Sequence, residues 1–143
     1  MQRRAELPAS AERVFALIAD LDRLPSWQTG IVSAEKTTPG PIGLGGRARV
    51  QRRLGGHTLT VDIDVTGYEP GRRLVLRSEA SGIQVEANLE LAPLGPQRTA
   101  IGFSMEIRAA NVFMVPVEGM VAGAAEADIH DSLDRLRRAL AAG

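Results

Sequence analysis

Apolar positions change their spacing twice along this chain. Near the start, Val14, Phe15, Leu17, Ile18 and Leu21 recur at helical spacing. They predict an amphipathic helix from Pro8 to about Ala19. Ser10 is placed to cap it, but Arg13 stands where a capping-box Glu would sit, so the box is incomplete. Asp20 to Leu24 reads as a second short helical turn ended by Pro25, and residues 2–7 suit a short edge strand. From about Ile31 to Arg108 the pattern becomes one of alternation, as strands require. From about Pro116 to Ala141 helical spacing returns, with Ala122, Ala125, Ile129, Leu133, Leu136 and Leu140 on one stripe.

The strands can be registered from the sequence. Gly55-Gly56 is a two-residue hairpin signal. Folding there puts Arg49 opposite Asp62 and Arg47 opposite Asp64. It also puts Val50 opposite Val61 and Ala48 opposite Ile63. One face is then apolar and the other carries opposite charges, and a one-residue slip would destroy both patterns. A hairpin at Ser81-Gly82 does the same. Arg77 falls opposite Glu86 and Arg73 opposite Glu90, while Leu76 meets Ala87 and Leu74 meets Leu89. The last strand should face inward through Ile101, Phe103, Met105 and Ile107. The expected fold is α+β: an antiparallel sheet wrapped around a long C-terminal helix, with two short helices after the first strand. A helix cannot fill a concave sheet completely, so an internal pocket is expected. The stripe of the closing helix is bulky in its C-terminal half. It is small in its N-terminal half, at Gly119, Ala122, Gly123 and Ala125. The pocket is therefore expected beside the N-terminal half.

Composition narrows the function classes. At 143 residues the chain is read as a single domain, 1–143. It carries 17 basic and 17 acidic side chains, so its formal net charge is zero, which argues against a nucleic-acid surface. There are no cysteines, hence no disulfide, thiolate metal site or cysteine nucleophile. No apolar run approaches a membrane span and no signal peptide is read at the N-terminus, so a cytoplasmic protein is expected. No metal and no cofactor is expected, because the histidines lack ligand spacing and Asp62 and Asp64 are engaged by arginines.

The chain resembles the START-like superfamily of helix-grip proteins, especially the polyketide cyclase/dehydrase-like (SRPBCC) branch. The segments that carry the resemblance are residues 7–20 (LPASAERVFALIAD) and Leu24-Pro25-Ser26-Trp27. Gly43-Leu44-Gly45-Gly46-Arg47, residues 68–74 (YEPGRRL) and Leu133-Asp134-Arg135-Leu136-Arg137 add to it. What the resemblance implies is a seven-stranded antiparallel sheet gripping the helix around a hydrophobic cavity. Members bind lipids, hormones, polyketides or quinones, and some catalyse cyclisation or dehydration.

Polar exceptions on the inward face are the candidates for chemistry. Arg52, His57 and Ser78 lie on it, and Glu118 lies on the helical stripe four residues before Ala122. The register brings these four toward one end of the molecule. A buried, unpaired guanidinium is costly, so Arg52 either orients a ligand with a partner or extends to solvent at the hairpin end. Glu118 is either a pocket carboxylate able to move a proton or a first-turn Glu favouring the helix N-terminus. His57 is a turn histidine that could serve in catalysis or simply face water. Asp128, His130 and Asp131 read as a solvated helix flank.

The leading expectation is a binding domain for a lipid-like or aromatic polyketide-like molecule. Its wall would include Trp27, Val50, Val61, Val85, Phe103, Met105, Ala122 and Ala125, with Phe113 as a lip. Arg52, Ser78 and Glu118 would orient the ligand's polar end, and Arg52 and Glu118 are expected to approach each other. The alternatives are a cyclase or dehydratase using Glu118 or His57 with Arg52 as an electrostatic aid, and a protein-interaction module. A monomer or homodimer is expected.

Overall fold

In a computed structural model the chain is described at residues 2–40, 42–54, 56–80, 82–109 and 115–142. At 54, 57, 115–122, 124, 125 and 142 the description extends to the backbone only. The strands are β1 (Gln2–Leu7), β2 (Ile31–Lys36), β3 (Arg47–Leu54), β4 (His57–Glu69), β5 (Arg73–Ala80), β6 (Ile83–Gly95) and β7 (Arg98–Ala109). They form one antiparallel sheet in the order β1-β7-β6-β5-β4-β3-β2. Helix α1 (Ala11–Ile18) and a 3-10 helix (Leu21–Ser26) carry the chain from one edge of the sheet to the other, and helix α2 (Val115–Ala142) closes it. This is the α+β helix-grip arrangement.

Both hairpins have the expected register. Arg49 lies opposite Asp62, Arg47 opposite Asp64, Val50 opposite Val61 and Ala48 opposite Ile63. Arg77 lies opposite Glu86, Arg73 opposite Glu90, Leu76 opposite Ala87 and Leu74 opposite Leu89. The charged rows face solvent, where Arg47 Nε donates to Asp64 Oδ1 at 2.6 Å and Arg49 Nε to Asp62 Oδ1 at 3.3 Å. Arg77 differs in detail, since its Nη2 donates to Gln84 Oε1 at 3.3 Å. Exposed pairs of this kind fix register more than they stabilise. Strand β4 has a register shift between Val65 and Gly67. There a Cβ on Gly67 would come within 2.7 Å of Val75 Cγ2, so the bend needs a residue without one.

The concave face makes the core. Val50, Val65, Leu74, Leu89, Ile101 and Phe103 are buried there, and Ile129, Leu133, Leu136 and Leu140 of α2 pack into the same cluster. Helix α2 lies against β7, β1 and the 3-10 helix. Ser10 caps α1 as expected, accepting from the Arg13 backbone N–H at 3.2 Å. The Arg13 side chain acts elsewhere: its Nη2 donates to Leu140 O at 2.7 Å, near the C-terminal end of α2, where carbonyls lack partners within the helix. Phe15 of α1 meets Tyr68 edge to face, with centroids 5.4 Å apart.

One expected boundary is corrected. Pro25 does not end the second turn but lies inside the 3-10 helix. The turn runs on because Trp27 and Gln28 both donate to Leu24 O, at 3.2 and 2.8 Å, so helical bonding passes over the proline that cannot donate.

Candidate functional site

On the concave face, strands β4, β5 and β6 place Ile63, Ser78 and Val85 side by side, with Ile63 opposite Ser78 and Ser78 opposite Val85, while Arg52 of β3 lies nearer the β3–β4 hairpin end, opposite Leu59. A cavity of about 40 Å³ opens there. Its polar side is made by Gln28, Arg52 and Ser78, and its apolar side includes Ile63, Leu76, Val85 and Met105. This volume would hold a few waters. A ligand of drug size needs several hundred Å³. Trp27, Val50 and Phe103 are buried in the adjoining core, and Val61 is half-buried against it. The side chains of His57, Glu118, Ala122 and Ala125, and Phe113 altogether, lie outside the described residues.

Arg52 has a partner, and it comes from α2. Its Nη2 stands 3.7 Å from Asp128 Oδ2, and both side chains are mostly buried, at 24% and 29% exposure. The separation is that of an ion pair rather than a hydrogen bond. Burial lowers the Arg52 pKa from its ordinary value, and the Asp128 charge only partly restores it. Burial likewise raises the Asp128 pKa, with Arg52 opposing and Asp131 adding to the rise. Both charges therefore lose more in hydration than they recover from each other.

This corrects the reading of residues 128–131 as a wholly solvated flank. His130 and Asp131 are exposed, whereas Asp128 turns inward. The reason is the chain segment facing it. Thr29 N–H donates to Ser132 Oγ at 2.8 Å, and Thr29 Oγ1 donates to Asp131 Oδ2 at 2.5 Å. Arg135 Nη2 donates to Pro25 O at 2.7 Å. Arg53 N–H donates to Gly30 O at 2.7 Å, which ties the same segment to β3. Gly30 has φ +95°, and a Cβ there would lie 2.9 Å from Asp128 Oδ2. Residues 25–30 thus clamp α2 to β3 and hold Asp128 beside Arg52. Asp128, Ser132 and Arg135 recur at i, i+4 and i+7. That helical polar row beside the apolar stripe was the available signal for this face.

Two more groups matter for a ligand. Gln28 is buried and borders the cavity. Trp27 is 1% exposed, and its Nε1–H has no hydrogen-bond acceptor among the described residues. Such a buried, unmade donor costs about 1–3 kcal/mol. Among the described residues no cluster of His, Cys, Asp or Glu side chains could hold a metal ion. No described helix is long and apolar enough to cross a membrane.

Several solved structures share this fold. A START superfamily protein from Mycobacterium smegmatis superposes with a TM-score of 0.78 at 17% identity, over 98% of this chain and 97% of that one. The Zhui aromatase/cyclase from Streptomyces sp. R1128 gives 0.74 at 16% identity, over 98% and 92%. The di-domain ARO/CYC BexL from the BE-7585A biosynthetic pathway gives 0.76 at 15% identity, over 96% of this chain and 45% of that one, so the chain spans about half of its length. At these identities the likeness is one of fold. No protein of curated function matches the chain by sequence. The match that reaches beyond fold is to a sequence family spanning residues 1–141, and by it the chain belongs to the polyketide cyclase/dehydrase and lipid transport family.

Proposed function

We propose that this chain, as one domain over residues 1–143, binds a hydrophobic small molecule, lipid-like or aromatic and polyketide-like, between the concave sheet and α2. The observation that carries the reading is the polar set of Gln28, Arg52 and Ser78 on an otherwise apolar concave wall. An apolar body with a few convergent polar groups is how such sites orient a ligand. The seat extends from the cavity at Arg52 toward the N-terminal half of α2, where the stripe residues are small. Glu118, Ala122 and Ala125 then belong to its helical side and Phe113 to its mouth. Trp27 offers its unpaired N–H to an oxygen of the ligand or to a water. The protein acts in the cytoplasm as a monomer or homodimer and has no nucleic-acid partner.

Native mass spectrometry of protein purified from its own host tests this, and a co-purified apolar molecule is the expected result. Ala122→Phe should then abolish its retention while the far-UV circular dichroism spectrum stays unchanged. Retention unaltered by that substitution would move the seat elsewhere. Turnover of the molecule, lost in Glu118→Gln, would make the protein a cyclase or dehydratase.

A further inference from the structure

Among the described residues Arg52 is the charged side chain that the concave face presents to the cavity, for Arg77 extends to the opposite face and binds Gln84 there. Alone, a mostly buried guanidinium would make this pocket a receptor for apolar carboxylates, since an opposite charge is its natural complement. It is not alone. Asp128 reaches it from α2 at 3.7 Å. At that distance the carboxylate cancels the charge without occupying the N–H groups. Among the described residues Arg52 makes no hydrogen bond, so its donors stay available.

Asp128 is also held in place. Gly30 leaves no room for a side chain between itself and Asp128 Oδ2. The segment is fixed to β3 through Arg53 and to α2 through Ser132 and Arg135. A pair whose charges lose more in hydration than they recover is weak as a stabilising device.

We propose that Asp128 is the specificity-determining counter-charge of the pocket: by neutralising Arg52 and leaving its donors free, it selects neutral apolar ligands bearing an oxygen acceptor over apolar anions. This rests on the ligand-binding reading above. The ligand's carbonyl or hydroxyl oxygen accepts from the Arg52 guanidinium. An apolar carboxylate at the same point gains Arg52 but meets Asp128 with like charge in a medium that screens poorly.

The test is fluorescence titration of the whole chain with two probes of one shape, 11-(dansylamino)undecanoic acid and its methyl ester, at a pH where the acid is ionised. The native protein should bind the ester more tightly than the acid. Asp128→Asn, nearly the same shape, should raise affinity for the acid at least about tenfold and leave the ester within about threefold, reversing the preference. Adding Arg52→Gln to that variant should remove the gain. If Asp128→Asn does not fold, Asp128→Ser carries the same comparison, and the acid should again gain at least about tenfold over the ester. An acid-to-ester ratio unmoved by the substitution overturns the role of Asp128 while the pocket stands. Failure of the native protein to bind either probe overturns the pocket reading, and the proposal with it.

Discussion

At the scale of residues, Gly30 is constrained in two ways. Its φ of +95° lies where L side chains are rarely found, and Asp128 occupies the space a Cβ would need. Gly30→Ala should therefore destabilise the fold by about 1–3 kcal/mol, read as a lower urea midpoint with an unchanged m-value. Asp128 makes a second prediction. Its native pKa is raised above the ordinary 3.8, so the folded chain holds this proton more tightly than the unfolded chain does. Stability linked to Asp128 is then greatest at low pH and falls as pH rises through its native value. The charged groups around it oppose each other, Arg52 lowering and Asp131 raising the pKa. Compared with Asp128→Asn across about pH 3 to 7, the native protein should lose relative stability as pH increases. A difference that is flat or grows with pH would show that pairing with Arg52 outweighs burial.

Among the elements, α2 depends on its C-terminal half. Leu136 is fully buried, between Leu133 and Leu140 on the stripe that fills the concave face. Leu136→Ala should cost about 2–5 kcal/mol by calorimetry or denaturant titration, because the sheet around it cannot collapse to close the space. The register of β3 with β4 and of β5 with β6 was legible in the sequence for a physical reason. Each strand alternates apolar residues with charges whose signs match across the turn, and any slip would bury the arginines. The capping role of Ser10 was legible because it depends on residues three apart. The inward turn of Asp128 was not. Burial on a helix flank depends on what lies across from it, and residues 25–30 follow no period that announces their path. The passage of the 3-10 helix through Pro25 was missed for a related reason: the carbonyl of Leu24 serves two later donors, a geometry that composition does not reveal.

For the molecule as a whole, the family and the helix-grip fold were legible because the alternation of strands and the two helical ends admit few other packings. The polar end of the cavity was legible in part. Arg52 and Ser78 stood out as exceptions on an apolar face, whereas Gln28 enters from a loop with no such background. The order of the strands carries one more consequence. The first strand pairs with the last, Gln2 opposite Ser104 and Leu7 opposite Thr99, while β2, next in the chain, forms the far edge. The two hairpins can form from neighbouring residues as soon as they exist. β1 must wait until nearly the whole chain is present, and until then β7 has an unpaired edge. Closing so long a loop comes late and is slow, as expected of folds rich in distant contacts. During synthesis the exposed edges of the partial sheet are the points at which a second copy could pair, so the hazard for this protein lies in assembly before β1 docks.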